Sequence, residues 1–417
     1  MTAPVIGCVA DDYTGGTDVA AALRRSGLRT VLLFGPPDPR LRPPECDAVV
    51  VALKTRALPA ARAVEMSLAA QRWLREFGCR QTYFKYCSTF DSTDDGNIGP
   101  VADALLDTAA SALTVICPAA PEHGRTVYNG HLFVHDRLLS ESSMRHHPLT
   151  PMTDPDLVRV LGRQTTHPVG LVPLPLVHRG PAAVADRLAE LAGAGVRYAV
   201  VDAVEESDLD IIAEAGRNLP VLTGAAGLAG AAGRVSATRH ATGPADLAGA
   251  GGPTVLLAGS CSAATLGQVG LAREKFAAYR LDPRTVTDVA DLLPAARAWL
   301  AAHLGADPIL IYSSAPTAER GPADPGTAAA LEQVMGSLAR AAVADGARRL
   351  VVAGGETSGA VVDALGITAV GVDAEMDRGV PWCSTLSPEE PLTLLLKSGN
   401  FGTPDLLVRA ATAGVAR

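Results

Sequence analysis

Short apolar runs rich in β-branched residues alternate along this chain with Ala- and Leu-rich runs, and small-residue turns join them. VIGCVADD leads to GGTDVAAALRRSG, AVVVAL leads to PAARAVEMSLAAQRWLREFG, and LPVLTG leads to AAGLAGAAGRV, while LTVICPA and YAVVDAV are further strands. Strands alternating with helices predict a mostly parallel sheet covered by helices on both faces. Trp73, Leu74 and Phe77 fall on the core face of the second of these helices. The alternation fails from residue 234, where Gly, Ala, Pro and Thr take over. It resumes with TVLLAGSCSAATLGQV, PILIYSSAP, LVVAGGETSGAVVDALG and LTLLLKSGNFGTPDLLVRAA.

The expected fold class is therefore α/β with two domains, each a mostly parallel sheet flanked by helices. Residues 1–235 form the first, 236–253 a linker, and 254–417 the second. A length of 417 residues, beyond what one hydrophobic core usually serves, points the same way. Two such domains create a cleft, where the active site is expected.

Composition narrows the function classes. Hydrophobic residues at 48% exclude a disordered chain, and aromatics at 4% leave the core to Val, Leu and Ala. The net charge of -8 argues against nucleic acid, whose phosphates need a basic surface. Seven scattered cysteines without a C-x-x-C pair disfavour a zinc ribbon or a thioredoxin-type site, and their odd number suggests a reducing cytoplasm. MTAPVIGCVADD lacks a basic leader region and reads as a first strand. No apolar run of about 18 residues suggests a membrane span.

Candidate chemistry gathers where strands end. Asp11 and Asp12 close the first strand, the edge at which open α/β sheets bind ligands. They could bind Mg²⁺, accept a hydroxyl or act as a general base. Helix capping explains one acid, not a consecutive pair. YFKYCSTFDSTDDGNIGP (83–100) follows an apolar strand with Lys85, Ser88, Thr89, Asp91, Ser92 and Asn97. A lysine at a strand end suits a carboxylate, and the hydroxyls, acid and amide suit the hydroxyls of a small sugar acid. The plainer reading is an Asx-turn-rich loop capping the next helix, which rarely needs such a lysine.

GGETSG (354–359) lies between a strand and a helix, a layout in which glycines let backbone N–H groups cradle phosphate. It is neither a Walker A motif nor a dinucleotide fingerprint. Alone it is weak, but Ser260 and Ser262 sit at a second such turn, and Lys397, Gly399, Asn400 and Gly402 at a third. Three such turns suit an extended anion such as a nucleoside triphosphate. Arg125 and Arg145, in polar loops, are candidates for a carboxylate or a transferring phosphate. His123 and His131 stay open as substrate contacts. His146 and His147 are adjacent, so their side chains seldom converge on a metal, and no metal site is expected. Cys8 and Cys87 read as small buried filler.

These residues carry a resemblance. ADDYTG, KYCSTFDSTDDGNIGP, GGETSGAVVDALG and LKSGNFG together resemble the four-carbon acid sugar kinases over nearly the whole chain. The longer central block with SMRHHPLTPMTD is most similar to the branch acting on 3-oxo-tetronates. KYCSTFDST…GN departs from the shorter K-x-DST-x-RGN pattern of the threonate and erythronate kinases, which disfavours those substrates. The resemblance implies an N-terminal acid-sugar domain, a C-terminal ATP domain, and ATP-dependent phosphorylation of the C4 hydroxyl of a 3-oxo-tetronate. It implies that Ser260, Gly354, Gly355, Glu356, Thr357 and Gly399 contact ATP; in such a kinase Mg²⁺ is expected to offset the phosphate charge. It implies that Asp11, Asp12, Lys85, Thr89, Asp91, Ser92 and Asn97 line the acid pocket; the motif leaves open which of them removes the proton, and Asp12 or Asp11 is the candidate base. The expected partner is a small four-carbon sugar acid, with no nucleic acid and no membrane; whether the chain is a monomer or a homodimer is open. The competing readings are a threonate or erythronate kinase, a non-catalytic sensor of sugar acid or nucleotide, and a metal-dependent hydrolase using Asp11 and Asp12.

Overall fold

The computed structural model describes residues 4–146, 150–237, 251–319, 325–386 and 391–413. His147 and most of the expected linker lie outside the described residues. The chain divides into two compact units, Met1–Ala245 and Asp246–Arg417.

In the first unit, β1 (Ile6–Ala10), β2 (Thr30–Phe34), β3 (Ala48–Ala52), β4 (Gln81–Lys85) and β5 (Thr114–Cys117) are the opening strands of a sheet. A small side sheet follows: β6 (Arg125–Tyr128), β7 (His131–Val134) and β8 (Arg137–Leu138). The main sheet is completed by β9 (Val169–Val172), β10 (Tyr198–Val201) and β11 (Val221–Gly224). Its order is β2-β3-β1-β4-β11-β5-β10-β9, and every pair is parallel. Burial on both faces is why β1, β2 and β3 are, apart from Thr30 at the start of β2, runs of apolar and small residues rather than alternating. The helices expected after β1, β3 and β4 are α1 (Tyr13–Arg25), α2 (Ala60–Phe77) and α3 (Ile98–Thr108). Gly78 ends α2 in the left-handed region at φ 103°. Trp73 and Leu74 are buried, and Phe77 stacks on Trp73 with ring centroids 5.2 Å apart.

The polar stretch that carries Arg125 reads as a loop in sequence, but residues 125–134 form the hairpin β6–β7. The cause is local: Asn129 and Gly130 take positive φ angles of 48° and 73°, the geometry a tight two-residue hairpin turn requires. Buried Asp202 fixes that turn by accepting the N–H groups of Asn129 at 2.7 Å and Gly130 at 2.8 Å.

The second unit contains β12 (Thr254–Ala258), β13 (Ala277–Arg280), β14 (Ile309–Tyr312), β15 (Arg349–Ala353), β16 (Ala369–Asp377), β17 (Val380–Thr385) and β18 (Thr393–Lys397). Their order is β13-β14-β12-β15-β18-β17-β16. All pairs are parallel except those made by β17, which runs antiparallel to both neighbours. Leu256, Val269, Leu310, Val351, Leu395, Leu406 and Leu407 form a core in which aliphatic side chains do most of the packing. Among the described residues no helix is long and apolar enough to cross a membrane.

Candidate active site

Parallel register decides what meets in the first unit. Ala10 of β1 pairs with Ala52 of β3 on one side and with Lys85 of β4 on the other. The residues that follow these three strands therefore emerge at one edge, the carboxyl edge of the sheet. Asp11 and Asp12 come from β1, Arg56 from the turn after β3, and Lys85 from the end of β4. The backbone ties them further: the N–H groups of Thr55 and Arg56 both donate to the Asp11 carbonyl, and the Asp11 N–H donates to the Lys85 carbonyl.

The side chains form one charged cluster. Arg56 holds Asp11 with two hydrogen bonds, Nε to Oδ2 at 2.9 Å and Nη2 to Oδ1 at 2.8 Å, and Nη2 also reaches Asp12 Oδ1 at 2.6 Å. Asp12 caps α1 as well, accepting the Gly15 N–H at 3.0 Å and the Thr14 hydroxyl at 2.8 Å. Burial pushes the Asp11 carboxyl up against the pull of Arg56. Burial works the same way on Asp12, but Arg56, Lys85, the Thr14 hydroxyl and the Gly15 N–H outweigh it and hold the group below its ordinary value. Asp12 thus both caps a helix and faces a guanidinium, so capping and the charge cluster are not alternatives here.

Lys85 is buried, and its ammonium donates to the Tyr86 carbonyl at 2.9 Å. Its remaining N–H bonds find no acceptor among the described residues, so a buried cation with free donors lies beside the aspartates. A Cβ placed on Gly15 would come within 2.2 Å of Asp12 Oδ1 and 3.1 Å of Lys85 Nζ. Only glycine leaves room there.

The segment after Lys85 is shaped by Phe90, which sits at φ 53°. That conformation costs a bulky residue about 1–3 kcal/mol. Its ring is fully buried and meets Tyr86 edge-on at 5.3 Å, and burying a Phe contributes about 1.5–3 kcal/mol. The two nearly cancel, so the strained turn persists. Within it the Thr89 hydroxyl donates to Asp91 Oδ1 at 2.6 Å. Arg125, on β6, feels the charge of Asp91, and its Nε is buried without a partner. Burial holds that guanidinium below its ordinary value.

Not every residue singled out from sequence faces the cluster with free donors. Asn97 spends its amide nitrogen on the carbonyls of Thr55 at 2.7 Å, Arg56 at 3.3 Å and Leu58 at 3.0 Å, so it holds the turn that carries Arg56. The Ser92 hydroxyl accepts Gln164 Nε2 at 2.7 Å, and Gln164 Oε1 accepts the Gly99 N–H at 3.0 Å. Arg145 is exposed on the turn Ser143–His146 and donates to the Ser140 carbonyl at 3.2 Å; it touches none of Asp11, Asp12, Lys85 or Asp91. Cys8 is buried, and burial pushes the Cys87 thiol up to about 12, so neither is an activated nucleophile. Among the described residues no group of three or more His, Cys, Asp or Glu side chains could hold a metal.

Sequence reasoning passed over Arg56 and Gln164. LKTRALP lies at the same carboxyl edge as the aspartates, and that placement was the available signal for Arg56. Gln164 stands outside any motif.

The second unit repeats the logic with different chemistry. Ala258 of β12 pairs with Ala353 of β15, which pairs with Lys397 of β18. The three glycine-bearing turns that follow are therefore side by side. The N–H groups of Gly259 and Ser260 donate to the Ala353 carbonyl at 3.0 and 3.2 Å, and the Gly354 N–H donates to the Lys397 carbonyl at 3.0 Å. Cβ atoms would collide across these turns: Gly259 with Thr357 Oγ1 at 2.2 Å, and Gly399 with Ser260 Oγ at 2.3 Å. Gly354, at φ 129°, lies where L side chains are strained. Helix Gly355–Ala364 starts from this point with no side-chain cap on its first N–H groups, a layout chemically suited to an anion. Glu356, in its first turn, is exposed, whereas Thr357 is buried.

Comparison with known proteins adds what geometry cannot. Residues 6–232 match the family model of a sugar-binding N-terminal domain and residues 255–407 that of a nucleotide-binding C-terminal domain. The chain is 50% identical to a 3-oxo-tetronate kinase of Cupriavidus necator, over 98% of this chain and 96% of that protein. It is 47% identical to a 3-oxo-tetronate kinase of Burkholderia multivorans, over 98% and 97%. A crystal structure from Salmonella typhimurium LT2, described as a tRNA synthase, superposes with a TM-score of 0.87 at 40% identity and covers 97% of this chain and 98% of that one.

Proposed function

This chain belongs to the four-carbon acid sugar kinase family, and from that premise we propose that it transfers the γ-phosphoryl group of ATP to the C4 hydroxyl of a 3-oxo-tetronate, giving the 4-phosphate and ADP. The observation that carries the reading is near-full-length identity of 47–50% to proteins named for that activity. The side-by-side glycine turns and the aspartate–lysine edge supply chemistry suited to it. The tRNA synthase description of the Salmonella structure is not carried over, because a net charge of -8 does not suit tRNA phosphates.

In this reading the C4 oxygen forms a bond to the γ-phosphorus, the bond from that phosphorus to the β–γ bridging oxygen breaks, and the hydroxyl proton passes to Asp12. Asp12 is favoured over Asp11 because its carboxylate keeps 24% exposure against 4%, and because Asp11 has both oxygens on Arg56. A carboxylate held below its ordinary value is a weak base, which suffices where the transition state is loose and positioning dominates. Lys85 supplies donors for the substrate carboxylate or for phosphate charge. Thr89, Asp91 and Arg125 form the rest of the polar wall, with Ser92 and Asn97 supporting it from behind.

The backbone N–H groups of Gly355, Glu356 and Thr357 at the start of the uncapped helix, together with the Ser260 hydroxyl and the turn at Gly399, receive the triphosphate, while Gly354 leaves room for its approach. Mg²⁺ usually binds substrate phosphates with only one or two carboxylates, so the lack of a protein metal cluster among the described residues does not count against it. Glu356, exposed in the first turn of the cradle helix, is the group suited to hold it, and when bound it neutralises phosphate charge. A cytoplasmic location follows from the ATP requirement.

The test is a coupled ADP-release assay with 3-oxo-tetronate, threonate and erythronate. ADP formation strongest with the 3-oxo acid supports the proposal. Preference for threonate or erythronate would reassign the substrate. Phosphate release without any acceptor would indicate a hydrolase, and ligand-induced thermal stabilisation without turnover a sensor.

A further inference from the structure

Lys397 ends β18 and is fully buried. No carboxylate among the described residues bonds to it, which is unusual for a buried cation. Its Nζ donates instead to Thr265 Oγ1 at 2.8 Å and to the Gly399 carbonyl at 3.1 Å. The same carbonyl accepts the hydroxyl of Thr265 at 2.8 Å and that of Ser262 at 2.5 Å. One carbonyl thus takes three donors, two of them from the start of helix Ala263–Arg273. Ser262 also caps that helix by accepting the Thr265 N–H at 3.2 Å, and its own N–H donates to Ser260 Oγ at 3.2 Å.

This arrangement fixes the peptide between Gly399 and Asn400. In a trans peptide the carbonyl and the following N–H point in opposite directions. With the Gly399 carbonyl drawn toward the buried lysine, the Asn400 N–H is turned away from it, and it finds no acceptor among the described residues. Gly399 lies against Ser260, the centre of the cradle. We propose that Lys397 is a positioning residue for nucleotide binding: together with Ser262 and Thr265 it locks the Gly399 carbonyl and so presents the 399–400 peptide and Ser260 to the phosphates. This rests on the reading of the second unit as the ATP site.

The side chain is ideally removed in two ways, because a buried lysine cannot be assumed dispensable for folding. Lys397→Met removes the Nζ donors and keeps nearly the length of the side chain. Thr265→Val removes the bridging hydroxyl, while Thr265→Ser keeps it. ADP binding with Mg²⁺ is measured by calorimetry on the full chain, and KM for ATP and for the acid by steady-state kinetics, at temperatures where thermal melts show each variant folded. The expected result is a rise of at least tenfold in KM for ATP and in Kd for ADP in Lys397→Met and Thr265→Val. KM for the acid should stay within about twofold, and Thr265→Ser should behave as the parent. Equal nucleotide affinity in folded Lys397→Met overturns the proposal. If that variant does not fold, parent-like affinity in Thr265→Val overturns it. Failure of the unsubstituted protein to bind ADP would instead remove the ATP-site reading itself.

Discussion

Arg56 Nη2 lies 2.6 Å from Asp12 Oδ1, while the same guanidinium grips both oxygens of Asp11. One cation from the turn after β3 therefore sets the position and the charge of both acids after β1.

Removing that cation should disable the site. Arg56→Ala is expected to lower kcat/KM by on the order of 10²-fold, the scale of a misplaced catalytic group. Arg56→Lys should not restore it, since an ammonium cannot make the bidentate contact. The pH profile provides a second readout. Arg56 helps hold Asp12 below its ordinary value, so in Arg56→Ala the acid limb of kcat/KM should move to higher pH. An unmoved limb would contradict the assignment of Asp12 as base.

Asp12→Asn keeps the shape of the side chain but cannot take a proton. Its kcat is expected to fall by about 10²–10⁴-fold, the usual contribution of a general base. Lys85→Ala should lower kcat/KM through loss of the free donors beside the aspartates. Circular dichroism of both variants should match the parent, and near-normal rates in both would remove the proposed site.

Asn97 acts on the site through the backbone. Asn97→Ala leaves the carbonyls of Thr55, Arg56 and Leu58 without their shared donor, at a cost of about 1–3 kcal/mol. Urea denaturation checks the stability, and kcat/KM should fall in step because the freed turn carries Arg56.

Lys397 makes stability depend on pH in an unusual sense. Burial lowers its ammonium from the ordinary 10.5 to about 7. Between those values the unfolded chain binds a proton that the folded chain does not. Its contribution to stability therefore rises with pH across this window, by on the order of 1.4 kcal/mol per pH unit. In urea titrations at pH 7.5 and 9.5, the parent should gain stability relative to Lys397→Met. A constant difference between the two proteins would show that the lysine stays charged in the fold.

Much of the architecture is legible in the chain itself. Period and turn residues are local properties, so β1 with α1, β3 with α2 and the three glycine turns of the second unit all follow from short stretches read one at a time. Asp11, Asp12 and Lys85 were visible for the same reason: each sits at the end of an apolar run. The β6–β7 hairpin was missed: its Asn-Gly turn was the available signal, but the surrounding polar residues suggested a loop.

Tertiary structure alone decided which of these ends are neighbours. Strand order places β3 and β4 on either side of β1, and it is this order, set by crossover connections rather than by any local pattern, that brings Arg56 to the aspartates. It also decided what the polar residues do. Asn97 and Ser92 carry the hydrogen-bonding capacity their type promises, but the backbone of the 55–58 turn and Gln164 take it up, and only packing in three dimensions determines which donors are already spent. Lys397 shows the same limit: its sequence neighbourhood is a glycine turn, whereas the Thr265 hydroxyl that bonds it and shares the Gly399 carbonyl comes from a helix more than a hundred residues earlier in the chain.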